Sequence, residues 1–142
     1  MIRAEGRVRI ARPAEEVFDF LADLHNEPTF TDASNIVKTT EGPIGLGTIY
    51  TETVKALGRF EVEIDRYERP TLLGFDARNS KAHIPVRYRL TAVGGETDVL
   101  TEVELHFRGP IRLLEPVMRP IVQRTYERKR GPMLKRAIEG SS

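Results

Sequence analysis

The alternation of apolar and polar residues defines the first elements of the chain. Residues 2–10 alternate between apolar and mostly charged side chains, which predicts a half-buried strand. Residues 12–23 begin with a proline and two acids and carry Val17, Phe18 and Leu21 at helical spacing, which predicts a short amphipathic helix. Residues 25–35 are rich in turn formers, so we expect a connector with any helix brief and with Phe30 as its buried anchor.

From Ile36 onward the period of the pattern changes to two, and turn residues recur about every ten positions. This spacing is typical of an antiparallel meander. We predict strands at residues 36–41, 48–56, 59–67, 72–79, 85–93 and 98–107.

Helical spacing returns between Gly109 and the end of the chain, which predicts a long C-terminal helix. An interior proline costs a helix about 3 kcal/mol. Pro116, Pro120 and the Gly131-Pro132 pair therefore predict an irregular start before residue 120 and a kink or break near residue 131. The basic residues of this segment are expected to form a solvated outer face, with an acidic partner or anionic lipid as the alternative.

Composition and charge exclude several classes of function. The 142 residues contain 39% hydrophobic and 30% charged residues, which is ordinary for one globular domain spanning residues 1–142. The formal net charge of +1 provides no excess positive electrostatic potential of the kind that nucleic-acid binding requires. The chain has no cysteine, no window apolar enough to span a membrane, and three histidines without metal-ligand spacing. We therefore expect a cytoplasmic protein without a metal or cofactor, whose oligomeric state the sequence leaves open.

Other catalytic motifs are absent from the sequence. The glycines at positions 42, 45 and 47 precede a strand, whereas a phosphate-binding loop precedes a helix. No serine lies in a nucleophile-elbow motif, and the neighbouring acids Glu102 and Glu104 fall on the outward side of their strand.

Polar residues on the inward side of the predicted strands are the candidate site. Tyr50, Glu52 and Val54 share one side of their strand, and Tyr88 follows Val86 on the inward side of another. Burying a carboxylate or a phenol without a partner is costly, so these groups predict a mutual hydrogen bond, trapped water or a ligand cavity. The alternatives are structural packing of the tyrosines and a bulge that places Glu52 at an exposed rim.

The order of the elements resembles the helix-grip arrangement of the SRPBCC superfamily. Residues 10–23 (IARPAEEVFDFLAD) look like the opening signature of its polyketide cyclase/dehydrase-like branch. Residues 42–50 (GPIGLGTIY), 67–73 (YERPTLL) and 114–116 (LEP) resemble its later turns and the entry to its last helix. The resemblance implies an α+β fold in which two short helices follow the first strand and a curved seven-stranded antiparallel sheet wraps around the C-terminal helix. Phe30 departs from the tryptophan that many relatives carry.

The same resemblance implies an apolar cavity between the sheet and the last helix. Members of the superfamily bind lipids, hormones, polyketides or other hydrophobic compounds there. The walls that we expect in this chain are Phe75, Tyr88, Phe107, Met118 and Val122.

Three classes of function follow from this interpretation. The leading hypothesis is binding of an apolar small molecule, with Tyr50, Glu52 and Tyr88 orienting its polar end and the C-terminal helix acting as a lid. The second is an enzyme of the polyketide cyclase/dehydrase type, in which Glu52 is the best catalytic candidate as a general base. The third is an interaction module that contacts a protein or a membrane surface through the basic last helix.

Overall fold

The structure, a computed structural model, describes residues 1–140. Seven strands form one antiparallel sheet with the spatial order β1-β7-β6-β5-β4-β3-β2. The strands are β1 (Ile2–Ile10), β2 (Ser34–Lys38), β3 (Ile49–Val54), β4 (Gly58–Glu68), β5 (Leu72–Arg78), β6 (Ala82–Val93) and β7 (Glu96–Phe107).

Two short helical elements connect β1 to β2, in agreement with the helix-grip prediction. They are α1 (Ala14–Ala22) and a 3-10 turn (Leu24–Thr29). Val17, Phe18 and Leu21 of α1 are buried, and Phe30 is 3% exposed. The apolar stripe and the anchor therefore occupy the core positions that the sequence pattern predicts for them.

The helical segment from Gly109 to Glu139, called here the C-terminal helix, consists of four consecutive parts. It begins as a 3-10 helix (Gly109–Leu114), continues as α2 (Glu115–Arg124), widens into a π-helix (Thr125–Arg130) and ends as α3 (Gly131–Glu139). The 3-10 start confirms the predicted irregular entry.

The sequence predicts a kink or a break near residue 131, and the structure shows no break there but a departure from regular α-helix directly before it. Gly131 keeps helical backbone angles (φ −58°, ψ −55°), and the helix passes through it without interruption. The π-helix lies directly before Pro132, which has no N–H to donate. Its wider turns change the spacing of the carbonyls ahead of the proline, whose ring would otherwise clash with the carbonyl four residues earlier in a regular α-helix.

Close backbone contact fixes the C-terminal helix against β1. A Cβ atom on Gly6 would collide with the backbone oxygen of Tyr126, and one on Gly131 would lie 3.2 Å from the oxygen of Arg7. Gln123 also donates a 3.0 Å hydrogen bond to the carbonyl of Arg3. Two glycines thus let the helix cross the first strand at backbone distance, which places the π-helix over the inner face of the sheet.

Candidate functional site

A cavity of about 180 Å³ lies between the inner face of the sheet and the π-helix. Its floor is apolar and comes from the central strands, whereas its polar groups come from the connector before β2, from β3 and from the C-terminal helix. The lining residues are Glu27, Thr31, Asp32, Ala33, Glu52, Val54, Lys55, Phe60, Ala77, Ile84, Val86, Tyr126 and Arg130. A larger groove over the edge of β1 is lined by exposed charged side chains, including Arg3, Glu5 and Glu127.

Strand alternation aims Glu52 into this cavity. Tyr50 is fully buried, Glu52 is 5% exposed, and the register places Glu52 opposite Phe60 of β4. The inward direction predicted for Glu52 is confirmed, and the exposed-rim alternative does not apply. Glu52 Oε2 is buried and has no hydrogen-bond partner in the part of the chain that the structure describes.

Glu27, on the 3-10 turn, places a second carboxyl beside Glu52. Burial, followed by repulsion from Glu52, raises the pKa of Glu27 well above its usual range, while Arg130 opposes the shift. Burial also raises the pKa of Glu52, although a hydrogen bond from Glu27 holds that rise back. Two adjacent buried carboxyls cannot both ionise cheaply, so Glu27 holds a proton and donates it towards the Glu52 carboxylate. We call these two residues the carboxyl pair.

Tyr126 and Arg130 form the roof of the cavity. They are four residues apart on the C-terminal helix, and the Arg130 guanidinium carbon lies 4.7 Å from the centre of the Tyr126 ring. This geometry is a cation–π contact. Arg130 forms no ion pair within 4.0 Å with a carboxylate of residues 1–140, although it also donates a hydrogen bond to the Tyr126 hydroxyl. Burial raises the pKa of Tyr126, which keeps its hydroxyl protonated.

Tyr88 belongs to the same polar cluster. The residue is 8% exposed, and its ring meets Phe75 edge to face with 6.3 Å between the ring centres. Burial is the main cause that raises the pKa of its hydroxyl strongly, and the neighbouring carboxyl of Glu27 adds to the shift. That hydroxyl makes no hydrogen bond to any residue in the described range, so Tyr88 is a donor close to the carboxyl pair.

The structure places the other predicted site residues away from the cavity. The Tyr50 hydroxyl donates a 3.2 Å hydrogen bond to the carbonyl of Ala22, and burial raises the pKa of Tyr50 to about 12. Phe75 and Phe107 are buried in the core, and Met118 and Val122 pack against the core from α2. Of the residues singled out in the sequence, Glu52 lines the cavity and Tyr88 lies beside it; the binding roles of all seven stay predictions.

Sequence reasoning misses Glu27, Tyr126 and Arg130. Glu27 lies in a connector without periodicity, and Arg130 belongs to a run of basic residues that predicts a solvated face. The helical spacing of Tyr126 and Arg130 is the one available signal, because residues four apart share a helix face.

The donor set of the cavity suits organic ligands. Among residues 1–140 no three His, Cys, Asp or Glu side chains are grouped so that they could hold a metal ion. The cavity instead offers a carboxylate acceptor and the donors of Tyr126 and Arg130 around an apolar floor, with the Tyr88 hydroxyl beside it. Such a combination of apolar walls and a few convergent polar groups is typical of small-molecule sites. No helix in the described part of the chain has the length and apolar character needed to cross a bilayer.

The fold and this cavity define a helix-grip protein with an internal polar cluster. The family model for polyketide cyclase / dehydrase and lipid transport proteins matches residues 1–139. The chain therefore belongs to that family, and the resemblance stated from its motifs is confirmed. A comparison with curated proteins finds no significant match.

Solved structures share the same architecture at low sequence identity. The protein TTHA0849 from Thermus thermophilus is 16% identical, with a TM-score of 0.77 over 99% of both chains. The Zhui aromatase/cyclase from a Streptomyces species is 17% identical, with a TM-score of 0.72 over 97% of this chain and 91% of that one. A START superfamily protein from Mycobacterium smegmatis is 12% identical, with a TM-score of 0.70 over 97% and 94%. At these identities the likeness shows the fold.

Proposed function

We propose that this protein binds a small, mainly apolar compound in the cavity, with the carboxyl pair holding the polar end of the ligand. The observation that carries the proposal is the Glu52 carboxylate, which is buried in the wall of a cavity with an apolar floor and has only the carboxyl of Glu27 as a donor among residues 1–140. A buried carboxylate with so few donors costs free energy that a ligand hydroxyl would recover. The family, which includes proteins of lipid transport, supports the same class of ligand.

The charges and the volume of the cavity limit the class of ligand that fits it. The carboxyl pair with one proton carries one negative charge, and Arg130 lines the same cavity with one positive charge. A neutral ligand keeps this balance, whereas a charged one would leave an uncompensated charge at low dielectric. The volume of about 180 Å³ is close to that of the ~150 Å³ apolar cavity known to hold benzene. The cavity therefore suits a compound built on a single ring.

The direct test combines native mass spectrometry with a matched pair of probes. Any compound retained by the purified protein is released by denaturation, extracted and identified. p-Cresol and p-xylene are then compared by thermal unfolding, because they differ only in a hydroxyl replaced by methyl. We expect p-cresol to raise the melting temperature more than p-xylene, as a ligand specific for the folded state does. A protein that retains no compound and responds to neither probe contradicts the proposal.

The second candidate is an enzyme of the cyclase or dehydrase type, and the carboxyl pair favours it as well. A carboxylate beside a protonated carboxyl can remove a proton from the carbon next to a ketone. The carbon–hydrogen bond breaks, the proton moves to Glu52, and the enolate oxygen accepts hydrogen bonds from Arg130 or Tyr126.

Hydrogen–deuterium exchange at the carbon next to a ketone distinguishes an enzyme from a protein that only binds its ligand. Acetophenone in deuterated water reports by NMR whether the protein accelerates replacement of its methyl protons by deuterium. If the cavity is catalytic, the wild type accelerates the exchange and Glu52→Gln abolishes the acceleration. An unchanged exchange rate with a bound probe leaves ligand binding as the function.

A further inference from the structure

A stripe of aliphatic side chains on the C-terminal helix faces away from the sheet. Leu113 is 83% exposed, Val117 66% and Ile121 63%, while Leu114 beside them is 54% exposed. Met118 and Val122, on the opposite side of α2, pack against the core. The helix thus has an inner apolar side that folding buries and an outer apolar side that folding leaves exposed.

Basic residues continue the same stripe towards the C-terminus. Val117, Ile121, Arg124 and Arg128 are spaced by four, three and four residues, so they share one helix face. A shallow depression on this face is lined by Pro120, Ile121, Arg124, Thr125, Arg128 and Lys129 and contains no acidic residue. We call Leu113, Leu114, Val117, Ile121, Arg124 and Arg128 the outer helix face.

The cations of this face have no counter-ion, whereas several arginines of the sheet do. On the sheet, Arg9, Arg87 and Arg89 each pair with a carboxylate across the strands. Arg124 and Arg128 form no ion pair with any residue in the range 1–140.

The acidic residues of the helix lie elsewhere. Glu115 pairs with the N-terminal ammonium group, and Glu127 lines the groove over β1. The positive charge of the outer helix face is therefore left for an external partner.

We propose that the outer helix face docks onto an anionic lipid bilayer. Aliphatic side chains beside unpaired arginines match the two layers of a membrane surface, since the apolar groups enter the acyl boundary and the guanidinium groups reach the phosphates. Protein-binding patches are enriched in aromatic residues as well as arginine, and this face has arginine but no aromatic residue. The proposal is independent of what the cavity binds.

Vesicle flotation tests this docking with the intact protein. We expect binding to vesicles of phosphatidylcholine mixed with phosphatidylglycerol, loss of binding in high salt, and little binding to phosphatidylcholine alone. The double variant Arg124→Glu/Arg128→Glu should weaken binding more than tenfold, given roughly fivefold for each cation near the surface. Val117→Asp/Ile121→Asp should weaken it by a similar factor.

Matched controls separate docking from general effects of charge and unfolding. Leu46 is 71% exposed in a turn remote in sequence from the helix, and Lys81 is exposed in the turn between β5 and β6. Leu46→Asp and Lys81→Glu should bind the mixed vesicles like the wild type.

Three results would overturn the proposal. They are no binding to the mixed vesicles at low salt, equal binding by the helix variants and the wild type, and a dimer in sedimentation velocity that Val117→Asp dissociates. The last result would assign the outer helix face to a second copy of the chain.

Discussion

Carboxylates on the two sides of the same sheet have opposite surroundings. On the outer side, Asp65 accepts two hydrogen bonds of 3.0 Å from Arg87, and Glu102 accepts one of 2.6 Å from Arg89. On the inner side, Glu52 has a second carboxyl, that of Glu27, as its neighbour. Arginine partners balance the negative charge of the outer carboxylates, which are also accessible to water. In the inner pair, the proton on Glu27 removes one of the two negative charges.

This difference separates carboxylates that are compatible with a stable fold from a carboxyl pair that we expect to serve ligand binding. An arginine partner lets a carboxylate stay ionised near the surface at little cost. Two buried carboxyls lower the stability of the fold unless a ligand completes their hydrogen bonds. A feature that breaks the local rules of folding without a structural gain is expected at a functional site.

The largest effect is expected from Glu52→Gln, which removes the charge of the inner pair and keeps its shape. A hydrogen bond to a charged group is worth about 1.5–3 kcal/mol, so p-cresol binding should fall by about tenfold or more. The free energy of unfolding at neutral pH should rise by about 1 kcal/mol, because a buried carboxylate is lost. Calorimetric titration and urea unfolding measure the two quantities. Unchanged binding would remove Glu52 from the site.

Glu27→Gln should change how stability depends on pH. Because the pKa of Glu27 is raised in the folded state, the folded protein binds more protons than the unfolded chain between the usual glutamate pKa of about 4.3 and the raised value. Stability therefore falls as the pH rises through that window, and the fall ends above the raised pKa. The variant should lose most of this fall and keep only the part that comes from Glu52, whose pKa is also raised.

Urea midpoints at a series of pH values, from about pH 4.3 upward, measure the slope. Asp65→Asn is the matched control, because it removes a carboxylate from the outer side and should keep the slope of the wild type. Parallel profiles for Glu27→Gln and the wild type would show that Glu27 does not hold the proton.

The sequence predicts the sheet well because the alternation of side chains in a strand depends only on residues that are close together in the sequence. Alternation alone fixes which side of β3 carries Glu52 and which side of β6 carries Tyr88, and the structure buries both. Turn chemistry separates the strands, and the apolar stripe of α1 marks its buried side. Errors at strand ends stay within a few residues because they do not change this parity.

The cavity could not be predicted in the same way because it is made by tertiary contacts. Glu27 comes from a turn without a period, and only folding brings it beside Glu52. Arg130 belongs to a basic run that is typical of a solvated face, yet it lines the cavity because the helix crosses β1 closely at Gly6. Pro132 predicts a break, but the π-helix keeps the helix continuous.

Tyr88→Phe should have a smaller effect than the changes at the carboxyl pair. The hydroxyl is a neutral donor without a hydrogen bond to residues 1–140, so its removal should leave the free energy of unfolding within about 0.5 kcal/mol of the wild type. Binding of p-cresol should weaken by roughly threefold to tenfold, the range for one neutral hydrogen bond. Tyr67→Phe is the matched control, because Tyr67 packs edge to face against Phe18 of α1 and does not line the cavity. Unchanged affinity in Tyr88→Phe would place the hydroxyl outside the ligand's reach.

Asp65→Asn on the outer side should have the smallest effect on ligand binding. Asp65 and Arg87 pair through two hydrogen bonds, yet their side chains keep about a third of their exposure, 31% and 29%. Water and salt screen such a pair, so its loss should cost about 0.5–1 kcal/mol and less in high salt. Urea unfolding at two salt concentrations measures the cost, and p-cresol affinity should not change. A larger or salt-independent loss would mean that the Asp65–Arg87 pair also stabilises the sheet by packing over Gly74, where its atoms lie. The two sides of the sheet would then differ in side-chain packing as well as in charge.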